Sequence, residues 1–297
     1  MSKPVVLVLG TNGYVGKATV KSLSETYADK VVIKAASRDP TKLGELRDLK
    51  GVELVALDMS APDAASHIKA TGAATVYVVT PRAKNRAAIA INAANASKQA
   101  NVGHLVVVSV FVADLKDTVY GRQFTEIESH VKNLGLPYTI IRLPFFFENF
   151  WADVQTIKKQ STVYGAINPD AGISPIAASD IGKASAAVLA NPGLYANKTL
   201  KPAAKAFTYS EAMKAFSESL GREIKYVQIP YEAVKKGVKD MGIEDWQADG
   251  MIEVMKSINS GSPVNNDPEG VTHFKSITGS DPIPVQQWVA AAAGGFK

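Results

Sequence analysis

The chain has 297 residues, 46% of them hydrophobic and 21% charged, with 33 basic residues against 28 acidic ones for a net charge of +5. That length suits one large α/β domain or a domain with a smaller appendage, and the composition excludes a disordered or fibrous chain. The absence of cysteine rules out disulfides, thiolate metal sites, iron–sulfur clusters and cysteine nucleophiles together, and the thinly spread charge offers no nucleic-acid surface.

Met1-Ser2-Lys3-Pro4 leads into Val5–Leu9, an apolar run too short for a signal-peptide core and followed by glycines rather than a cleavage site. The longest near-continuous apolar stretch, Leu105 to Ala113, is about half of a bilayer span. The expectation is a soluble protein with no membrane association and a cytoplasmic address, or a cytoplasmic and nuclear one, although no basic run marks a nuclear signal.

Short β-branched runs then alternate with helical patterns. Strands are expected at Val5–Leu9, Val31–Ala35, Val52–Ala56, Thr75–Val79, His104–Val110 and Tyr138–Ile141. Helices are expected between them at Val15–Tyr27, Thr41–Leu49, Asp63–Lys69, Asn85–Ala100 and Phe124–Leu134. Runs apolar on both faces, joined by crossovers of helical length, predict a doubly wound parallel sheet covered on both sides. Its ligand belongs beyond the carboxyl ends of the strands.

After Asn149 the alternation breaks. Ser174–Ala177 and the helix opened by Ser179-Asp180 read as a return to the main sheet. Then come a helix (Tyr209–Leu220), a strand (Ile224–Ile229), two helices (Tyr231–Met241 and Trp246–Ile258) and a loop (Gly261–Gly270). The chain is therefore divided into residues 1–150 with a return segment 173–205, and an interleaved smaller α+β domain of residues 151–172 and 206–297.

The most informative stretch is Gly10-Thr11-Asn12-Gly13-Tyr14-Val15-Gly16, at the first strand–helix junction. Gly10 allows the tight turn, Gly13 lets the backbone approach a diphosphate, and Gly16 lets the helix pack close, so free amides and the helix dipole face the anion. The spacing is G-x-x-G-x-x-G rather than G-x-G-x-x-G, and glycines serving turns alone remain the bland alternative. A Walker loop fails, because Gly10 to Gly16 is one residue too long and Lys17 is followed by Ala18, not a hydroxyl. The second strand ends Ala35-Ala36-Ser37-Arg38, without the acid that holds an NAD ribose. Arg38 and Lys42 suit a 2′-phosphate instead, or are solvated surface charges, while Asp39-Pro40 reads as a helix start.

These residues, with Arg38-Asp39-Pro40, Gly135-Leu136-Pro137-Tyr138-Thr139 and Arg142, Pro144-Phe145-Phe146-Phe147-Glu148-Asn149, and Ser179-Asp180-Ile181-Gly182, resemble the NmrA-like branch of the atypical short-chain dehydrogenases over nearly the whole chain. The resemblance implies a Rossmann-type domain binding NADP(H) and a small C-terminal domain forming a cleft. It implies either an oxidoreductase acting on a small flat substrate such as a quinone, or a silent redox sensor that regulates a protein partner. It sets Asp58 and Met59 beside the adenine, Thr80 and Pro81 under the ribose or diphosphate, and Phe146, Phe147, Glu148 and Asn149 near the nicotinamide. Asp58 capping a helix, and Phe145 and Phe147 serving as plain core, are the alternatives.

Carbonyl-reducing members of that superfamily use Ser, then Tyr-x-x-x-Lys on one helix face. Ser109 ends the fifth strand, where such a serine belongs, and Tyr120 follows, but Phe124 stands in the place of the lysine. The only literal match, Tyr231 with Lys235, lies in the C-terminal region, where it reads as an ordinary helix start. No catalytic residue is therefore assigned, and the expected cleft is lined by Phe145, Phe146 and Trp151. Four scattered histidines show no ligand spacing, so no metal is expected, and no G-x-S-x-G elbow occurs. The glycosylation patterns at Asn95 and Asn197 are silent in a cytosolic chain.

Overall fold

The computed structural model describes residues 2–297. The first half runs β1 (Val5–Leu9), α1 (Tyr14–Tyr27), β2 (Val32–Ser37), α2 (Gly44–Arg47), β3 (Val52–Ala56), α3 (Ala64–Thr71), β4 (Ala73–Val78), α4 (Arg86–Gln99), β5 (His104–Val110), α5 (Val119–Asn133) and β6 (Tyr138–Leu143). The second half runs β7 (Phe145–Phe146), α6 (Val154–Gln160), β8 (Thr162–Gly165), β9 (Pro175–Ile176), α7 (Ala178–Ala190), β10 (Lys198–Leu200) and α8 (Tyr209–Leu220). It ends with β11 (Lys225–Gln228), α9 (Tyr231–Asp240), α10 (Asp245–Asn259), α11 (Gly270–Thr278) and α12 (Val285–Ala292).

Successive strand residues point to opposite faces, and here both faces are apolar. Val6, Val8, Val106, Val108, Ile141 and Leu143 face one core with Val20 and Leu23 of α1 and Ile181 and Val188 of α7. Leu7, Leu9, Val76, Val78, Leu105, Val107 and Ile140 face the other, against Ala90 and Ala94 of α4 and Phe124, Ile127 and Val131 of α5. The result is the expected doubly wound sheet, seven parallel strands in the order β10-β6-β5-β4-β1-β2-β3. The chain winds outward from β1 through β2 to β3, then crosses back to β4 on the other side of β1, so the crevice lies between β1 and β4.

The motif Ser179–Gly182 has a packing role. A Cβ on Gly182 would stand 2.6 Å from the Ala18 carbonyl oxygen, so only glycine lets α7 approach α1 this closely. Asp180 is fully buried and accepts a hydrogen bond from the Ile283 N–H at 2.7 Å, tying the segment before α12 to this layer.

A third core is aromatic: Phe147, Phe150, Phe207, Phe216, Trp288 and Phe296 pack around the two-stranded parallel pair β8–β11. Among the described residues no helix is long and apolar enough to cross a membrane.

The structure departs from expectation in four places. Thr41–Leu49 is not one helix but a 3-10 turn, Pro40–Leu43, started by Asp39 and followed by the four-residue α2. Helix α5 starts five residues early, because the Thr118 hydroxyl caps the Gly121 N–H. Ser174–Ala177 does not rejoin the main sheet: β9 pairs with β7, and β10 makes the return beside β6. Finally α11, grouped by sequence with the smaller domain, inserts Phe274 and Ile277 into the core under α7.

Candidate functional site

At the carboxyl end of the sheet a groove of about 420 Å³ opens over β1, β2, β3 and β4. Its floor is the glycine turn. Gly10 takes φ +83°, and a Cβ there would strike the Val79 carbonyl oxygen at 2.8 Å. A Cβ on Gly16 would stand 2.5 Å from the Gly10 oxygen and 2.7 Å from Thr11 Cα, so the first turn of α1 lies directly on the loop. Gly13 differs, since a Cβ there would meet only the Gly10 oxygen at 3.8 Å and would fill open groove. No side chain caps α1 and its first turn carries no acid, so its leading amides and dipole are free for an anion.

The loop is braced to β2. The buried Thr11 hydroxyl donates to the Ala36 carbonyl at 2.6 Å, and the Asn12 amide donates to Ser37 Oγ at 3.1 Å. Ser37 is thereby held, and the exposed Arg38 is presented to the groove opposite Asp58. Asp58 caps no helix; it accepts from the Ser60 N–H at 2.8 Å and hydroxyl at 2.6 Å. The Ser60 hydroxyl, with Arg38 nearby, holds its carboxyl below the ordinary range. Asp39 is occupied by the Thr41 N–H at 3.1 Å. Met59, Thr80, Pro81 and Arg82 complete the walls. Arg82 carried no motif and was missed by sequence reasoning.

Three of the expected residues contribute differently. Lys42 is exposed, lies 3.6 Å from Asp39 and does not line the groove. The Tyr14 side chain is exposed, and Val15 packs into the core beneath α1, so both bring only backbone.

A second cavity, about 180 Å³, lies beyond the ends of β5 and β6 under the smaller domain. Phe111, Tyr120, Phe145 and Phe146 give it aromatic walls, with Val254 and Ile258 from α10. Its polar lining is Tyr120, Asn149, Ser174 and Asn265, with no carboxylate and no cation. Ser174 Oγ accepts from the Asp267 N–H, Asn265 donates to Ser257 Oγ, and the Tyr120 hydroxyl donates to the Gln247 carbonyl at 3.0 Å. The exposed Asn149 lies at the cavity edge. Ser174 and Asn265 belong to loops that sequence reasoning left unassigned.

The Phe146–Asn149 run divides. Phe146 and Asn149 line the cavity. Phe147 is fully buried and stacks on Trp288 at 5.6 Å, so its ring is core and reaches neither site. Glu148 Oε1 accepts from the Ala178 N–H at 3.0 Å and from Trp288 Nε1 at 3.2 Å, which braces α7 rather than a ligand. Trp151, expected in the cleft, stacks instead on Phe296 at 4.6 Å.

Ser109 is also committed elsewhere. Completely buried, it donates to Glu128 Oε1 at 2.6 Å, while Arg142 clamps both Glu128 oxygens at 2.8 Å and reaches Asp114. Burial pushes Glu128 up, but the bonds from Arg142 and Ser109 outweigh it and hold the carboxyl low. Lys235 pairs with Asp249, and the Tyr231 hydroxyl accepts from Asn259 at 2.6 Å, so that pair is structural. Among the described residues no group of three or more metal-ligating side chains is gathered.

The sequence profile of the NmrA-like family matches residues 2–268. An NAD(P)H azoreductase of Xenophilus azovorans is 28% identical over 251 residues, covering 84% of this chain and 86% of that protein. The fold resembles that of an NADPH-dependent quinone oxidoreductase of Escherichia coli solved with NADPH, with TM-score 0.83 and 20% identity over 97% of this chain and 99% of that one. It also resembles NmrA, a negative transcriptional regulator solved with NADP, with TM-score 0.78 and 15% identity over 99% and 96% of the two chains.

Proposed function

The chain belongs to the NmrA-like family, and from that premise we propose that it is an NADPH-dependent reductase of flat conjugated acceptors such as quinones. The azoreductase and quinone-reductase relatives support a reductase with a small-molecule acceptor. The groove fits the cofactor on its own terms: a cradle that a Cβ on Gly13 would fill, free helix-end amides for a diphosphate, and Arg38 for a 2′-phosphate. Asp58 and Met59 would hold the adenine, Thr80 and Pro81 would support the ribose and diphosphate, and Phe146 and Asn149 would flank the nicotinamide. Lys42 adds long-range positive charge at most. When bound, the cofactor supplies a hydride.

The observation that carries the choice of acceptor is the cavity's want of a proton donor. The hydroxyl of Tyr120 is committed to α10, Ser109 is buried under Arg142, and no lysine or histidine lines the wall. A reduced quinone is stabilised as a phenolate-type anion and takes its proton from water. A simple ketone is not, and its reduction at ordinary enzyme rates is excluded on this reading. The phenylalanine walls hold a flat ring and exclude water from its faces.

The same lack of an acid, with the likeness to a transcriptional regulator, favours a second reading: a silent sensor whose protein partner responds to NADP(H) occupancy. One experiment separates them. NADPH oxidation is followed across a panel of quinone and azo acceptors, with Arg38→Ala as control. The reductase reading expects saturable oxidation, with the NADPH KM raised about 10- to 100-fold in the variant and NADH use unchanged. NADPH bound, as read by its fluorescence, but oxidised by no acceptor is the outcome that sinks the reductase and leaves the sensor.

A further inference from the structure

Phe124 leaves α5 without a cation four residues after Tyr120, yet a cation stands at that spot. Arg86, the first residue of α4, lies with its guanidinium carbon 5.0 Å from the ring centre of Phe124, 5.3 Å from that of Tyr120 and 5.5 Å from that of Trp246. Its exposure is 9%, and its Nε is buried without a hydrogen-bond partner. The charged neighbour it does have is Arg82, on the loop that walls the cofactor groove; burial and that like charge both disfavour the guanidinium's charge, and no carboxylate answers it. Three aromatic faces offset part of the desolvation. A buried cation without an acid is still a net cost to the fold, and it is compensated only when negative charge arrives beside it.

Tyr120 connects Arg86 to the acceptor cavity. The ring is part of the cavity wall, and the guanidinium lies over that same ring. Helix α10 locks the ring in place: its hydroxyl donates to the Gln247 carbonyl, and a Cβ on Gly250 would stand 2.8 Å from the ring. The phenol is therefore a fixed wall, with a fixed charge against its ring.

We propose that Arg86 is a positioning residue for the reaction: it replaces, from α4, the cation that α5 lacks, and through Tyr120 it stabilises the negative charge that the hydride brings to the acceptor. The inference rests on the reductase reading above. The acceptor takes two electrons and one hydrogen from the reduced nicotinamide, which is oxidised, and its second hydrogen comes as a proton from water. Arg86 moves no proton. In a wall this apolar its attraction is less screened than in water, and because it is already in place no reorganisation is needed when the charge forms.

The test uses the full chain with NADPH and a series of quinones whose reduced anions differ in basicity. Arg86→Met keeps an unbranched apolar stem and removes the charge; Arg86→Lys keeps a charge. For Arg86→Met the expected kcat is about 10- to 30-fold lower, with the NADPH dissociation constant within about twofold by fluorescence, and the loss grows as the reduced anion becomes more basic. Arg86→Lys recovers most of it. An equal loss for every quinone, with no rescue by lysine, overturns the proposal, because that is what disturbed packing alone produces. Arg86→Gln repeats the comparison should the Met variant melt below the assay temperature.

A binding measurement decides without turnover. With NADP+ present, the wild type is expected to bind 4-nitrophenolate about tenfold more tightly than 4-nitrophenol, and Arg86→Met to bind them alike, a difference of about one pH unit in the bound phenol's ionisation. Equal affinity of the wild type for both forms, or no binding of either, overturns the proposal. A wild type that holds NADPH but reduces no quinone removes the reductase reading and this inference together. A working wild type, with a loss in Arg86→Met that does not vary with acceptor basicity, removes the inference alone.

Discussion

The cofactor groove and the acceptor cavity sit at the same edge of one sheet but are made in different ways. The groove is built from short contiguous runs at strand ends, Leu9–Gly13, Ala36–Arg38, Leu57–Ser60 and Val79–Ala83, and its decisive groups are backbone amides and the space where glycine has no side chain. The cavity draws on segments from Val110 to Asn265 and is defined by side chains that meet only where α10 and the loops of Ser174 and Asn265 pack beyond the ends of β5 and β6. Local geometry dictates the first, and long-range packing the second. Substitutions in the two regions are therefore expected to separate cleanly into effects on cofactor affinity and effects on acceptor turnover.

The largest expected effect lies in the glycine turn. Gly16→Ala forces a Cβ against the backbone of Gly10 and Thr11. It is expected to weaken NADPH binding by about 100-fold or more and to lower the melting temperature, since close overpacking costs about 1–3 kcal/mol. Gly13→Ala has room for its methyl group and is expected to weaken binding about tenfold with the melting temperature unchanged. Fluorescence titration with NADPH and thermal melting of both variants check the pair. Equal loss of stability in the two would mean that the loop, not the groove space, sets affinity.

In the smaller domain the expected effect depends on pH. Burial pushes Asp153 up to about 7, so the fold favours its neutral form. Below an unfolded value near 4 the group costs nothing; the cost grows as pH rises through 7 and is constant above. Asp153→Asn removes it. The variant is expected to match the wild type at pH 4 and to be more stable at pH 8 by at most about 4 kcal/mol, less in proportion to the water that reaches the carboxyl. Denaturant unfolding at the two pH values checks this, and a difference that is the same at both would count against it.

The smallest effect is expected at Tyr120, the tyrosine that has lost the lysine four residues on. Tyr120→Phe keeps the cavity wall and loses only the bond to the Gln247 carbonyl, worth about 1 kcal/mol. Quinone turnover is expected to stay within about threefold. A loss of 100-fold or more would make Tyr120 the acid and undo the contrast between groove and cavity.

Much of the groove was legible in the sequence because each part of it carries its own local constraint. Gly10 needs positive φ, Gly16 needs contact with a backbone, and at the end of β2 Arg38 stands in the groove while the following Asp39 is occupied by Thr41. The errors lie where a side chain's direction decides. Phe146 and Phe147 are adjacent and chemically identical, yet one lines the cavity and the other stacks on Trp288, 141 positions away in sequence. Glu148 and Ser109 look like site residues and are structural braces for the same reason.

The sequence by itself determined the doubly wound sheet and the phosphate turn, because two-residue and helical periodicities and the steric needs of glycine act over a few neighbouring residues. Tertiary structure alone decided what the missing lysine means. Phe124 announces the loss of a charge on α5, but Arg86 lies 38 positions earlier, with no motif around it, and only the packing of α4, α5 and α10 lays its guanidinium on that ring. A charge acts through distance in space, and distance in space between helices is fixed by the core they share.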